Sequence, residues 1–249
     1  MNTSRTLWAL GLIIVVGGLA FVAAGYTTPQ EAHVLQGTLS QDGRSYTYAE
    51  DKPYYSVSVE YPAHTALSGG ADIKAREFME TALQAQVVQF KQDSGVETLT
   101  AQDAQYQNIT ADHKYALGIE YKEYGSPNYD SFLFSIYEDT LGAHPNGFFK
   151  TFVFDQNGKI ISIEDIVKGK GLSALAALVR ADVVKQMQTR LGQQDVSGAL
   201  FEDGLAPTDN NYSNFIVDNT DLLIELPPYQ VAAYAMGTFE VRVPLSNFQ

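Results

Sequence analysis

The chain has 249 residues, no cysteine and a formal net charge of −13. That length allows one large or two small domains with a substantial core. The missing cysteines exclude a disulfide scaffold, a thiolate metal site, a catalytic thiol and a lipidated N-terminal cysteine. The acidity disfavours nucleic acid and anionic lipid surfaces and favours basic partners.

Residues 7–24 form an uncharged, almost wholly apolar run, near the lower length limit for crossing a bilayer. Arg5 precedes it, which by the positive-inside rule keeps that end in the cytoplasm. Val22, Ala23 and Ala24 also offer the small residues a signal peptidase needs. Residues 1–26 therefore read as a membrane anchor or a cleaved signal peptide. Both place the rest of the chain outside the cytoplasm. Residues 27–44 are polar and read as a tether.

Alternation then predicts strands at 45–50 and 54–60, with Tyr55, Val57, Val59 and Tyr61 on one face and Pro62 as the stop. The spacing of Met79, Leu83, Val87 and Phe90, with Ala75 and Ala82 beside them, predicts a helix over 71–93. Asp72 is its starting residue and Ser94-Gly95 its end. Strands follow at 115–121, 129–137 and 148–154, joined first by the turn Gly125-Ser126-Pro127-Asn128. Together they predict an antiparallel meander. In the last of these strands Phe148, Phe152 and Phe154 share one face, and Phe149, Thr151 and Val153 the other. Asp155-Gln156-Asn157-Gly158 supplies a turn in which Asn157 and Gly158 both suit positive φ.

Ser162 with Asp165 predicts a capped short helix, broken at 168–171. Leu175, Val179, Val183, Met187 and Leu191 predict a second long helix over 173–191, ended by Gly192. Residues 193–211 read as irregular, and strands are expected at 214–217, 221–226 and 239–243. No glycine-rich phosphate loop follows a strand and βα units do not alternate. The expected fold class is α+β: an antiparallel sheet with two long helices packed on it, preceded by the N-terminal helix. Domains are expected at 45–136 and 137–249.

Few residues announce chemistry. The four histidines form no His-Glu-x-x-His pair, and no Gly-x-Ser-x-Gly elbow is present. His144, in the glycine-bounded loop 142–147, has Glu138 and Asp139 close in sequence, an arrangement for acid–base work or simply a solvated loop histidine. Asp155, Asn157, Gly158 and Glu164 partly match a calcium loop, but Val153 stands where its first acidic ligand belongs, so a hairpin turn is the better reading. Residues 227–237 differ in kind. Pro227 and Pro228 stiffen the segment, and Tyr229 and Tyr234 carry large rigid rings with free hydroxyls, suited either to an interface or to packing on the core. No motif requires a cofactor or a metal.

Read together, Gly142-Ala143-His144-Pro145-Asn146, Thr151-Phe152-Val153-Phe154-Asp155, Gly158, Ile163-Glu164-Asp165-Ile166, the run from Pro228 through Tyr234 to Gly237, and Val241 with Val243-Pro244 resemble the RsiV-like C-terminal domain family. That domain forms the outer part of an anti-sigma factor that serves as a bacterial lysozyme receptor. It also accompanies the catalytic domain of the peptidoglycan deacetylase PdaC. The 45–136 region is similar to the companion PdaC-like N-terminal domain. Only residues 1–6 precede the apolar run and no deacetylase domain follows, so the resemblance implies the outer module alone, tethered or released. It implies a non-enzymatic, extracytoplasmic binding module of the bacterial envelope, with a basic lysozyme-like protein or peptidoglycan as partner. His144, Asn146, Tyr229, Gln230 and Tyr234 are the candidate contact residues. The alternatives are an envelope hydrolase or deacetylase accessory with an active site around His144, and a structural envelope protein whose aromatic loops only pack.

Overall fold

The computed structural model describes residues 35–248. The expected leader at 7–24 and residues 27–34 of the expected tether lie outside the described residues; the rest of that stretch is not a free tether, because Leu35 is buried in the core and Thr38 and Leu39 pair with Thr47 and Tyr46. The described residues belong to one compact unit.

Six strands make the first sheet in sequence order: β1 (Thr38–Leu39), β2 (Ser45–Asp51), β3 (Tyr55–Pro62), β4 (Tyr115–Gly125), β5 (Tyr129–Asp139) and β6 (Asn146–Asp155). The meander β4–β5–β6 is antiparallel as its alternation predicts. One expectation is corrected. β3 and β4 pair in parallel, with Tyr55 opposite Tyr115 and Val59 opposite Ile119, so the sheet is mixed. The cause is α1 (Gly70–Ser94), which runs between these two strands. A crossover of this length returns the chain in the same direction, which a tight turn cannot do.

α1 buries Ala75, Met79, Leu83, Val87 and Phe90. They meet Val57, Val59, Leu117, Ile119, Phe132, Phe134, Phe152 and Phe154 in one core. Gly95 closes the helix with φ 62°, where glycine pays no Cβ penalty. Its N-cap is Gly69 rather than the region of Asp72. Asp72 instead accepts the Thr65 amide at 2.7 Å and the Thr65 hydroxyl at 3.0 Å, strapping the preceding loop to the first turn. A short helix absent from the sequence reading, α2 (Ala101–Tyr106), follows, started by a reciprocal Thr100–Asp103 capping box.

The turn after β6 uses positive φ at Gly158 only, not at Asn157. The Asp155 carboxylate accepts the amides of Asn157 at 2.8 Å and Lys159 at 3.0 Å, so it is occupied by its own backbone. A side chain at 158 would meet the Ala71 carbonyl oxygen at 2.6 Å, so this turn also needs glycine to sit on the start of α1. The return is a single bridge, Phe154 to Ile160.

The remaining chain makes a second layer: α3 (Ile163–Val167), α4 (Gly171–Leu191), β7 (Phe215–Asp218), β8 (Asp221–Leu226) and β9 (Phe239–Pro244). Ser162 and Asp165 form the expected capping box. The last three strands do not join the first sheet, as a one-sheet architecture would require, but form their own antiparallel sheet, β7–β8–β9. Strand alternation explains this. Leu222, Ile224 and Leu226 face a core with Leu175, Val179, Val183 and Met187 of α4. Leu223, between them, points the other way with Ile216, onto Leu133 and Phe149 of the first sheet. The second sheet is therefore covered on both faces. The hydroxyls of Ser131 and Thr151 bond the edge of β7 that does not pair with β8. β5 runs unbroken through 136 and 137, so the two layers share the first sheet.

Candidate functional site

The loop joining β5 to β6 is set by Asp139. Its carboxylate accepts the amide of Leu141 at 2.8 Å, and Leu141 holds φ 60°. The loop thereby presents His144. The Nδ1 of His144 lies 3.0 Å from its neighbour's carbonyl, Pro145 O, and its Nε2 lies 3.2 Å from the Tyr229 hydroxyl. The carbonyl can only accept, so Nδ1 donates to it, and Nε2 shares the second bond with the phenol, which can act as donor or acceptor.

Tyr229 comes from the second layer, 85 positions away. Pro227 and Pro228 lead out of β8, and the Gln230 amide donates to Pro227 O at 3.2 Å, closing a turn. Pro228 occupies the second position, where its fixed φ fits. Tyr229 occupies the third, at φ 69°, a place usually given to glycine. This strained residue is also 55% exposed, so neither burial nor core packing explains why an aromatic stands there.

The loop beyond it is held from inside. Val231 and Ala232 are buried, and Val231 O accepts the Phe201 amide at 2.9 Å. Arg190 lies over the Phe239 ring at 3.9 Å and donates to Met236 O at 2.6 Å. Tyr234 is thereby placed against His144, their ring centroids 3.9 Å apart and their planes 19° from parallel. The Tyr234 hydroxyl donates to Pro145 O at 3.0 Å, the same oxygen that His144 uses. The Tyr229 and Tyr234 rings stand 5.4 Å apart. His144, Tyr229 and Tyr234 therefore form one aromatic cluster built from two distant segments.

The other candidates lie differently. Asn146 is exposed at the start of β6, opposite Glu138. Gln230 turns inward, its amide donating to Gly204 O at 3.1 Å and Asn211 O at 2.8 Å, so it fastens the loop rather than joining the rings. Tyr137, which the sequence reading passed over as a strand residue, is 47% exposed beside this cluster. Desolvation, then the Asp139 carboxylate, then Tyr234 push its phenol pKa upward, which places it at the edge of the same patch. Alternation carried the signal: Tyr137 follows the inward-facing Ile136 and must face away from that core.

Among the described residues His144 makes no ion pair with a carboxylate, and no three His, Asp or Glu side chains are grouped to hold a metal. Glu138 is held above the usual carboxylate range by burial, then by the nearby Asp93. Asp139 is occupied by Leu141. The arrangement offers stacked rings and a phenol at the surface, chemistry suited to contact.

Among the described residues, no helix is long and apolar enough to cross a membrane. No curated protein matches the chain. A DUF3298-family protein from Bacteroides fragilis NCTC 9343 has a similar solved structure, with TM-score 0.57 and 20% identity, covering 81% of this chain and 89% of that one. A DUF3298-family protein from Pseudomonas aeruginosa PAO1 is similar at TM-score 0.53 and 14% identity, covering 82% and 89%. At these identities the likeness carries the fold alone. Residues 164–246, from α3 through the last strand, match the family described as protein of unknown function (DUF3298), a span that includes Tyr229 and Tyr234.

Proposed function

We propose that this chain is a non-enzymatic binding module of the bacterial envelope, lying outside the cytoplasm, that docks a basic lysozyme-like protein through the patch of His144, Tyr229, Tyr234 and Tyr137. This finer placement, in the RsiV-like C-terminal domain family, rests on the sequence resemblance. The single observation that carries the binding reading is Tyr229: an exposed aromatic held at φ 69° and bonded to a histidine from another layer. Strain retained at an exposed ring points to a use for that ring. Rigid tyrosines at the centre of a patch are the residues that dominate protein contacts. The net charge of −13 supports a basic partner.

The test is binding of hen egg-white lysozyme, as a representative basic muramidase, to the purified chain, at low salt and again near physiological salt. Saturable binding is expected, weakened at least tenfold by Tyr229→Ala. Absence of binding by the parent chain at low salt, or equal binding by the variant, overturns the proposal.

A further inference from the structure

β6 is the last strand of the first sheet, so one of its edges is an edge of that sheet. The chain closes on this edge only at its far end, where the Ile161 amide donates to Val153 O at 2.8 Å and the Asp155 amide to Lys159 O at 3.0 Å. These two bonds fix which main-chain groups point outward. In an antiparallel strand the N–H and C=O of one residue share a side, and that side alternates along the chain. Val153 and Asp155 point away from β5, so Gly147, Phe149 and Thr151 do as well, while Phe148, Lys150 and Phe152 bond to β5. Among the described residues, none bonds the outward N–H or C=O of Gly147, Phe149 or Thr151. Thr151 reaches the second layer through its hydroxyl. None of residues 146–151 is buried.

The side chains along this edge divide by face. Phe149 and Thr151 turn to the second layer, and Phe148 and Lys150 to the side of α1, with Phe152 beyond them. There Phe78 of α1 stands edge-on to Phe152, ring centroids 5.7 Å apart, yet it is 44% exposed and leaves an apolar shelf beside the strand. Lys150 is the only charged residue between 146 and 154. Among the described residues its ammonium makes no ion pair. Burial holds its pKa below the usual lysine value, and no carboxylate opposes that shift. A half-buried cation without a counter-charge carries a desolvation cost that an incoming carboxylate would offset.

We propose that the free edge of β6 takes up an extended segment of a partner protein as a seventh strand, with a carboxylate of that segment set across from Lys150. Main-chain bonds at 147, 149 and 151 supply the pairing, and Lys150 selects the residue opposite it. A second copy of this chain fits worse. Antiparallel pairing of two such edges sets both Lys150 cations on one face as near neighbours, and two chains of net charge −13 repel. The same overall charge works against a strongly acidic segment, so the segment carries one acid among uncharged residues. The inference goes beyond the proposed function and does not rest on it, because the pairing groups are main-chain atoms and Lys150 rather than the aromatic rings.

The experiment is calorimetric titration of the end-blocked peptide Thr-Val-Thr-Glu-Thr-Val-Thr into the full chain in detergent, at pH 7.5 and low salt, with residue-resolved amide exchange of the free and saturated chain. Saturable binding is expected, weakened at least tenfold by Lys150→Glu. The same peptide with lysine in place of its glutamate should bind Lys150→Glu more tightly than the parent. Saturation should slow exchange at the Phe149 and Thr151 amides at least tenfold and leave those of Phe148 and Lys150, already bonded to β5, unchanged. Gly147→Pro removes an outward donor at an exposed position and no bond to β5, so it should weaken binding at least tenfold even if Lys150→Glu fails to fold. No saturable binding by the parent, equal affinity in both variants, or unchanged exchange at Phe149 and Thr151 overturns the inference. Peptide binding lost in Tyr229→Ala would place the peptide on the rings and overturn it too. So would dimerisation of the parent that Gly147→Pro abolishes, which gives the edge to a second copy. Peptide binding without lysozyme binding supports the edge and counts against the aromatic patch.

Discussion

Ser131 and Val217, 86 positions apart, exchange two hydrogen bonds: the serine hydroxyl donates to the Val217 carbonyl at 3.1 Å and accepts its amide at 3.2 Å. A side chain thus stands where a neighbouring strand would be, and Thr151 repeats the device by accepting the Phe215 amide at 3.0 Å. Both Ser131 and Val217 are fully buried. Ser131→Ala leaves an amide and a carbonyl without partners, at a cost of about 1–3 kcal/mol for each orphaned group. Urea denaturation should show a lower midpoint with a similar slope. A loss under about 0.5 kcal/mol, the scale of an ordinary surface substitution, would mean that the hydroxyl does not anchor β7.

Glu225 should make stability depend on pH. It is 6% exposed on β8, directly opposite Glu240 on β9. Burial first, and then Glu240, raise its pKa from 4.5 to about 7, with Lys122 opposing. The folded state holds this proton more tightly than the unfolded chain. Its stabilising contribution is therefore complete below about pH 4.5 and is lost as pH rises towards 7. Glu225→Gln should be more stable than the parent at pH 8, by up to about 3 kcal/mol, with the gap closing towards pH 4. Denaturation midpoints of both proteins across that range check it. A gap that widens on acidification would reverse the sign.

Tyr229→Gly separates contact from packing. Glycine accepts positive φ freely, which recovers about 1 kcal/mol of backbone strain. The lost ring is mostly exposed. Thermal stability should therefore stay within about 1 kcal/mol of the parent, while lysozyme binding falls at least tenfold. A large stability loss with unchanged binding would make Tyr229 a packing residue.

Gly204 should matter to binding without touching the patch. A side chain there would lie 1.8 Å from Gln230 O, so Gly204→Ala must displace the turn that carries Tyr229. It should cost about 1–3 kcal/mol and weaken lysozyme binding together with stability. Gln230→Ala removes two loop-fastening bonds and should behave as a milder version, about 1 kcal/mol in stability. Crystal structures or amide-exchange data for either variant would show whether the 227–237 segment moves.

Local periodicity carried much of the fold. Met79, Leu83, Val87 and Phe90 fall on one helical face, and that face is the one buried. The Ser162–Asp165 cap was equally plain because its two partners lie three residues apart. Direction was not legible. Alternation in β3 and β4 states which side chains are buried, but is the same for parallel and antiparallel neighbours. Nor did it state that Leu223 and Leu222 would serve two different cores. For the candidate site, residue type singled out His144, Tyr229 and Tyr234. Their meeting depends on how the second layer docks, which no local window records. Gln230 looked like its exposed neighbours because an amide is equally at home in water or bonded to two carbonyls.

The crossover between β3 and β4 also orders the assembly of the protein. β2–β3 and β4–β5–β6 are neighbours in sequence and can zip from their turns. The β3–β4 seam closes only after the long intervening segment has folded back, so its loop-closure entropy delays it. The two halves of the first sheet should therefore form early and separately, and the helix that spans them should become fully protected from exchange only when the seam shuts.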